Sequence, residues 1–329
     1  MIGSRPAAVD RPELVGRRPL RWSSSRSADR LFEGVTAVFG LGIVLLVLLV
    51  AWELWRGSSA ARQVFGFGFI TGTTWNPVQG TFGAFPYIFG TLVTSFAALL
   101  LAGPIGVGTA IFLVELAPRR LRAPVGFLVE MLAAIPSVIY GLWALFVLVP
   151  LVRNHVEPFL GDNLGFLPFF KGTAYGVGFL SASLVLAIMV LPTVTAISQA
   201  VIATVPRGQR DGAYALGATR WEVISDVVVP YARSGIIGAL ILGLGRALGE
   251  TMAVTMVIGN RGSISWSLFS LGDTMASVIA NQFNEADNAL FTSALIEIGL
   301  LLFVVTVFLN VGARLLVWRL AKSPGGARR

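Results

Sequence analysis

The chain contains no cysteine, and His155 is the one histidine among its 329 residues. Without cysteine it can form neither disulfides nor thiolate metal sites, and one histidine leaves little basis for a histidine metal site. Charged residues make up only 13% of the chain, and lysine occurs only at Lys171 and Lys322. Neither lysine follows the glycines of a phosphate-binding G-x-x-x-x-G-K-[ST] loop. The sequence therefore predicts no metal, no cofactor and no ATP-hydrolysing or other catalytic site.

Apolar residues are abundant and come in long continuous runs. They make up 55% of the chain, and the mean hydropathy is +0.77. The runs are long enough to cross a bilayer as helices, and they lack the alternation of a β-barrel strand. The formal net charge of +8 is carried mainly at the ends of these runs. That placement favours orientation by the positive-inside rule over nucleic-acid binding. We predict an all-α polytopic membrane protein in contact with lipid.

Six runs are expected to span the membrane. The first is expected to be retained in the mature chain, because its apolar core is too long for a signal peptide. A secretory signal cleaved near the small residues 57–60 is the alternative. Gly103-Pro104 is expected to kink or break the second run, and Pro136 interrupts the third. The six predicted spans cover about residues 31–55, 85–116, 125–152, 176–205, 234–259 and 291–318.

The distribution of lysine and arginine predicts the orientation of the chain. With six spans both termini share one side, and 19 of the 25 Lys and Arg residues fall on it. Both termini are therefore expected in the cytoplasm. The predicted segments are a disordered basic cytoplasmic tail, the first span with an extracytoplasmic loop, a transport domain, and a C-terminal cytoplasmic tail. They cover 1–30, 31–84, 85–320 and 321–329.

The cytoplasmic loop 206–233 carries a spaced motif. Asp211-Gly212-Ala213 is followed after three residues by Gly217, and after nine more by a segment that ends at Pro230. Small residues at 213 and 217 give a helix a flat patch that a partner can cover closely. Prolines 206 and 230 are expected to bound the loop as helix breaks. An amphipathic loop that only lies on the membrane surface is the alternative.

The spacing of this loop resembles the coupling-loop signature of binding-protein-dependent ABC transporter permeases, E-A-A, three residues, G, nine residues, I-x-L-P. Asp211 and Gly212 replace the first Glu and Ala, and valines replace Ile and Leu before Pro230. The resemblance implies that Asp211, Gly212, Ala213, Gly217 and Pro230 belong to the surface that docks a separate ATPase.

Two charged residues, Arg246 and Glu250, lie within the fifth apolar run. On one continuous helix they are a single turn apart, on nearly the same face. Charges within a membrane usually face a bundle interior or a water-filled path. A guanidinium offers a planar fork of donors that suits phosphate oxygens. We interpret the pair as part of a substrate path, with a purely structural ion pair as the alternative.

The remaining polar residues in or beside the runs are weaker candidates. Glu115 and Glu130 are placed near cytoplasmic span ends, and Glu297 in the first third of the sixth run. Each is expected to pair with an arginine or to lie at the interface. His155 is expected in a solvated loop between the third and fourth runs.

The segment from Leu244 to Asn260, with 135–141 in the third run, resembles the C-type permease of the bacterial phosphate-specific ABC transport system. This resemblance covers most of residues 85–320. It implies a type I ABC importer permease fold and import of inorganic phosphate. The implied partners are an A-type permease, two copies of an ABC ATPase and an extracytoplasmic phosphate-binding protein. A permease for molybdate or sulfate and a secondary ion-coupled transporter are the alternatives.

Overall fold

The structure is a computed structural model that describes residues 26–321. Six helices in this part of the chain are long and apolar enough to cross a membrane, which confirms the predicted number of spans. The basic tail 1–30, apart from its last residues, and the tail after residue 321 lie outside the described residues. The spanning segments are Asp29–Gly57, Phe85–Leu116, Ser137–Leu164, Phe179–Ala203, Arg220–Leu248 and Ala289–Leu315.

We number the helices in chain order and treat a continuous helical run as one helix. Two short 3-10 turns, at Pro168–Phe170 and Phe283–Glu285, lie between these helices and are not numbered. The helices are α1 (Arg26–Gly57), α2 (Ser59–Phe65), α3 (Gly68–Thr71), α4 (Phe85–Leu116), α5 (Arg119–Ala134), α6 (Ser137–Leu164), α7 (Phe179–Ala203), α8 (Arg207–Ala215), α9 (Arg220–Leu248), α10 (Met252–Val257), α11 (Met275–Gln282) and α12 (Ala289–Ala321). Spans one to six are α1, α4, α6, α7, α9 and α12.

The third span differs from its prediction in register. α5 ends at Ala134, and a new helix starts after Pro136, so the spanning helix begins well inside the predicted run 125–152. It then continues to Leu164, through much of the predicted loop. Pro136 lacks the N–H that would continue α5 and disfavours a helical backbone at Ile135 before it, so one helix ends and another begins there. Arg153 and His155 are exposed on the surface of the new helix and do not stop it. His155 is therefore helical and exposed, and the prediction of a loop there is wrong.

Proline 104 does not break the second span. α4 is α-helical from Phe85 to Ile111 with Pro104 inside, and a π-helical turn over Phe112–Leu116 completes it. The expected break at Gly103-Pro104 therefore does not occur.

Spans two, four and five pack closely through glycines. A Cβ built on Gly235 would lie 2.3 Å from Val201 Cγ1, and one on Gly243 would lie 2.8 Å from Val190 Cγ1. Gly106 of α4 faces the same helix, with Val194 Cγ1 3.0 Å from its hypothetical Cβ. Small residues let helix backbones approach where lipid offers no hydrophobic driving force between helices. These contacts place α7 at the centre of the bundle, with Val185, Val190 and Val194 buried.

The segment between spans one and two folds into a compact cap. Strands β1 (Trp75–Asn76) and β2 (Thr81–Phe82) pair antiparallel. The Trp75 ring packs edge-on against the Phe82 ring, with centroids 4.8 Å apart, and its Nε1 donates to Gln282 Oε1 at 2.7 Å. This cap is thereby fastened to α11, in the segment between spans five and six.

The first portion of α1, residues 26–50, belongs to a unit separate from the rest of the described chain. Its described side chains, from Asp29 onwards, are exposed. An apolar helix with its side chains exposed in this way is suited to contact with lipid.

Candidate functional site

Arg246 lies on the last turn of α9, two residues before the helix ends at Leu248. Its side chain is exposed, and it lies close enough to Tyr140 of α6 for electrostatic interaction. Gly245 beside it approaches Asn310 of α12, whose Oδ1 would lie 3.7 Å from an added Cβ. The Arg246 guanidinium therefore lies on span five, next to spans three and six, and is exposed.

Glu250 lies outside α9, contrary to the continuous helix that the sequence predicted. The helix ends at Leu248, residues 249–251 are non-helical, and α10 begins at Met252. Glu250 Oε1 accepts a hydrogen bond from the Ala253 backbone N–H at 3.4 Å. The predicted one-turn geometry is therefore wrong. Within residues 26–321 neither Arg246 nor Glu250 forms an ion pair, whereas Arg56 pairs with Glu53 and Arg210 with Glu115.

The break in span five packs against the start of span three. A Cβ on Gly141 of α6 would lie 2.6 Å from Met256 Sδ and 3.1 Å from Ala253 Cα, so the two helices are in backbone contact. α6 starts just after Pro136, and the N–H groups of its first turn carry a partial positive charge. Transporters use interrupted helices of this kind to direct such charge towards anionic substrates. Arg246 thus lies close to Tyr140, in the first turn of α6, and to the break in span five.

The remaining acids have separate environments. Glu115 pairs with Arg210, as expected of an acid at a span end, and Glu130 is exposed on α5. Glu297 of α12 is buried, and its Oε2 has no hydrogen-bond partner. Glu157 is also buried and accepts from Gly176 N at 2.9 Å. Our sequence reasoning missed Glu157, although an acid at the end of a long apolar run is a usable signal.

The loop between α7 and α9 forms a helix, a turn and a capped helix start. Pro206 precedes α8, as predicted, and Gly217 adopts a left-handed backbone with φ of +87°. Thr219 then caps α9, donating and accepting hydrogen bonds with Glu222 in a capping box. A Cβ on Gly217 would meet no atom within 4 Å, so backbone conformation is what favours glycine here within this chain.

Pro230 does not end a helix. α9 runs from Arg220 through Pro230 into the membrane, and a π-helical turn over Val223–Val228 precedes the proline. A π turn changes the hydrogen-bond register and so accommodates the missing proline N–H. The prediction that Pro230 bounds the loop is therefore wrong, and the loop is joined to span five by one continuous helix.

The surface of this loop is apolar at its tip. Leu216 is 91% exposed and Trp221 is 74% exposed. Asp211 and Gly212 are also exposed, whereas Ala213 packs partly against a buried cluster beneath α8. Large apolar side chains that stand out beside a tight turn are typical of a protein-binding surface.

Comparison with known proteins agrees with this architecture. Residues 102–322 match the family described as binding-protein-dependent transport system inner membrane component. The chain is 17% identical to a chain of the bacterial alginate ABC transporter, crystallised with an alginate-bound periplasmic protein. The TM-score is 0.60, over 90% of this chain and 98% of that one. At this identity the likeness concerns the fold, which is that of an ABC importer permease.

Two relatives are much closer in sequence. The phosphate transport system permease protein PstC of Haemophilus influenzae is 48% identical over 90% of this chain and 95% of its own length. The protein of the same name from Pasteurella multocida is 49% identical over 90% of this chain and 94% of its own. The chain therefore belongs to the family of binding-protein-dependent inner membrane transport components, in the PstC group of permeases. It is a multi-pass transport subunit of the inner membrane, and the secondary-transporter alternative is not supported.

Proposed function

We propose that this chain is a permease subunit of an ATP-driven importer that carries inorganic phosphate into the cytoplasm. The observation that carries the proposal is Arg246, exposed on a span at the point where spans three and five are interrupted. The names of the two PstC relatives support phosphate as the substrate.

The chemistry of the site suits transient anion binding. A phosphate that enters the membrane loses hydration and needs donors to replace it. Arg246 supplies a planar fork, which binds phosphate oxygens with two parallel hydrogen bonds. One guanidinium does not neutralise a dianion, so we expect a second basic or polar group from the partner permease. Glu250 lies nearby in sequence on a separate segment, and its charge opposes prolonged retention of the anion.

Coupling to ATP hydrolysis is assigned to the loop between α7 and α9. Its tip exposes Leu216 and Trp221, and Gly217 forms the tight turn between them. We assign the docking surface to Asp211, Gly212, Ala213 and Gly217, with Pro230 in the helix that continues into the membrane. The full importer is an A-type permease, two copies of an ABC ATPase and an extracytoplasmic phosphate-binding protein besides this chain.

The proposed orientation places both termini in the cytoplasm. It is supported by the excess of lysine and arginine on that side, including the loop between α7 and α9. Fusions of a reporter that is active only outside the cytoplasm test it. They should be active after Gly72, Gly165 or Asp273 and inactive after Ala123 or Gly217. Activity at Gly217 would overturn both the orientation and the ATPase-docking assignment.

Uptake by reconstituted proteoliposomes tests the transport function. Vesicles that contain this chain with its three partners should accumulate labelled phosphate only when ATP and the binding protein are present. Unlabelled molybdate and sulfate serve as competitors, because they share the oxyanion shape. Competition by one of them stronger than by phosphate would favour the alternative of another oxyanion permease. Phosphate accumulation that depends on an ion gradient and not on ATP would overturn the proposal.

A further inference from the structure

Arg210, on α8, is held by a dense set of hydrogen bonds. Its Nε and Nη2 donate to Glu115 Oε1 at 3.1 and 2.7 Å. Nη2 also donates to the Ile202 carbonyl at 3.0 Å, and Nη1 donates to the Val205 carbonyl. The side chains of Arg210 and Glu115 are only 15% and 13% exposed. An ion pair this shielded is screened much less by salt than a surface pair.

These bonds join three separate elements. Arg210 belongs to α8 and Glu115 lies on the π-helical turn that ends α4. The accepting carbonyls belong to Ile202, in the last turn of α7, and to Val205, two residues after its end. A buried apolar cluster extends the same junction to α9. Its buried members are Ala110, Ile202, Val205, Val223, Val228, Ala232 and Ile236, and Ala213 and Ala218 of the loop pack against it.

We propose that Arg210 and Glu115 form a strut that makes α8 and the inner ends of spans two and four move as one body during transport. The inference deepens the proposed function, because it assigns the route by which movement of an ATPase docked on the loop reaches the membrane. Arg210 and Glu115 are thus positioning residues that do not touch the substrate.

The geometry argues for more than a helix cap. An arginine that only capped α7 would need its carbonyls alone. Here the same guanidinium also binds a carboxylate on a different span, so displacement of α8 must either break a shielded ion pair or carry span two with it. Breaking the pair leaves a partly buried charge without its partner, which is unfavourable. Movement as one body is therefore the lower-energy response.

Variants of each partner test the strut in the complete importer with its binding protein. Arg210→Gln and Glu115→Gln should still copurify with the ATPase and hydrolyse ATP. The phosphate imported per ATP hydrolysed should fall on the order of tenfold or more, since one member of a shielded pair is lost. Arg210→Lys keeps the positive charge and should retain more of that ratio than Arg210→Gln. Arg120→Gln, on an exposed arginine of α5, is the matched control and should keep the wild-type ratio.

A reversible cross-link distinguishes a contact that stays closed throughout the transport cycle, as a strut would, from a contact that opens during it. The chain has no cysteine, so R210C with E115C introduces its only two thiols. A bifunctional thiol reagent that bridges them should restore the import ratio, and reduction should abolish it again. The same reagent on the wild-type importer is the control.

Two outcomes would overturn the strut. They are an unchanged import ratio in R210Q and continued uncoupling after the cross-link forms. Failure of the proposed substrate is seen separately. In that case the wild-type importer itself assembles and hydrolyses ATP but takes up no phosphate, whereas failure of the strut leaves wild-type uptake intact.

Discussion

Arg246 lies in the last turn of α9 and Glu250 precedes α10, so these two residues are separated by a break in span five although only three positions lie between them. The separation leaves the Arg246 guanidinium free of an intramolecular carboxylate partner within residues 26–321. It also leaves Glu250 to cap the start of α10. Charge and helix capping can therefore be tested independently at the two positions.

Arg246→Gln should abolish phosphate uptake while membrane insertion and assembly stay intact. Glutamine lacks the positive charge that replaces hydration of the anion. Arg246→Lys should also transport poorly, because an ammonium group is a point charge without the planar fork. The measurement is uptake normalised to assembled complex, with Arg314→Gln, an exposed arginine of α12, as the control. Normal uptake by R246Q would place the phosphate path elsewhere.

Glu250→Gln and Glu250→Ala separate charge from capping. Glutamine keeps an oxygen that can accept from Ala253 N–H, so E250Q should assemble normally and yet change uptake or its coupling to ATP hydrolysis. Alanine removes the acceptor as well and should cost about 1 kcal/mol of stability, as for other lost helix caps. Uptake and thermal denaturation of the purified complex are measured together. If both variants transport like the wild type, the Glu250 charge has no part in the path.

Substitutions at Gly217 separate backbone strain from docking. Gly217→Ala should cost about 1 kcal/mol, because φ of +87° is unfavourable with a Cβ. Gly217→Asn tolerates that backbone better and still adds a side chain to the docking surface. Gly217→Asp should leave the protein inserted and abolish transport. ATPase copurification and uptake are the readouts, and normal uptake in both G217N and G217D would remove Gly217 from the docking surface.

Gly235 tests the packing of span five on span four. Gly235→Ala should lower stability by about 1–3 kcal/mol, the usual cost of overpacking, because its Cβ would lie 2.3 Å from Val201 Cγ1. Adding Val201→Ala should recover part of that loss. Gly238→Ala on the same helix is the matched control, since its Cβ would meet nothing within 4 Å. Equal thermal midpoints for G235A and G238A would contradict the close packing.

The buried carboxyl of Asp273 should make the stability of the protein depend on pH. It is 2% exposed, and burial raises its pKa to about 6 from the ordinary 3.8, against the opposing hydrogen bonds from Ser277 and Thr274. Since the folded state binds the proton more tightly than the unfolded state, this group lowers stability as pH rises from about 4 to about 6. The full effect above that range is at most about 3 kcal/mol.

Asp273→Asn keeps the acceptor oxygen and removes the titration. Its thermal midpoint should therefore vary less than that of the wild type between pH 5 and 7, because the Asp273 effect on stability extends into the lower half of that range. Tyr87 of span two lies close enough for electrostatic interaction with Asp273, so Tyr87→Phe is measured in parallel. An identical pH profile for D273N and the wild type would exclude Asp273 as the source.

The number of spans and the spacing of the loop motif could be predicted from the sequence, because both depend on local patterns. Apolar run length defines a span, and Pro206 starts α8 where expected. The break after Leu248 could not be predicted this way. Its residues are compatible with a helix, and the break depends on the backbone contact of α10 with Gly141, a residue far away in the sequence. Glu157 escaped notice for the same reason, since its partner is a distant backbone N–H.

The π-helical turn over Val223–Val228 affects the rotation of Gly217 relative to Arg246 about the helix axis, as well as the hydrogen-bond register of the helix. An α-helix rotates by about 100° per residue, so deleting one residue from this turn would rotate the faces of Gly217 and Arg246 relative to each other by about that amount. Both residues would keep their local structure and lose their mutual orientation. Changes of segment length between the docking loop and the membrane site should therefore be tolerated only as near-whole turns, of three or four residues. The rotation of the docking loop relative to Arg246, about the axis of span five, therefore depends on the number of residues between them as well as on which side chains they carry.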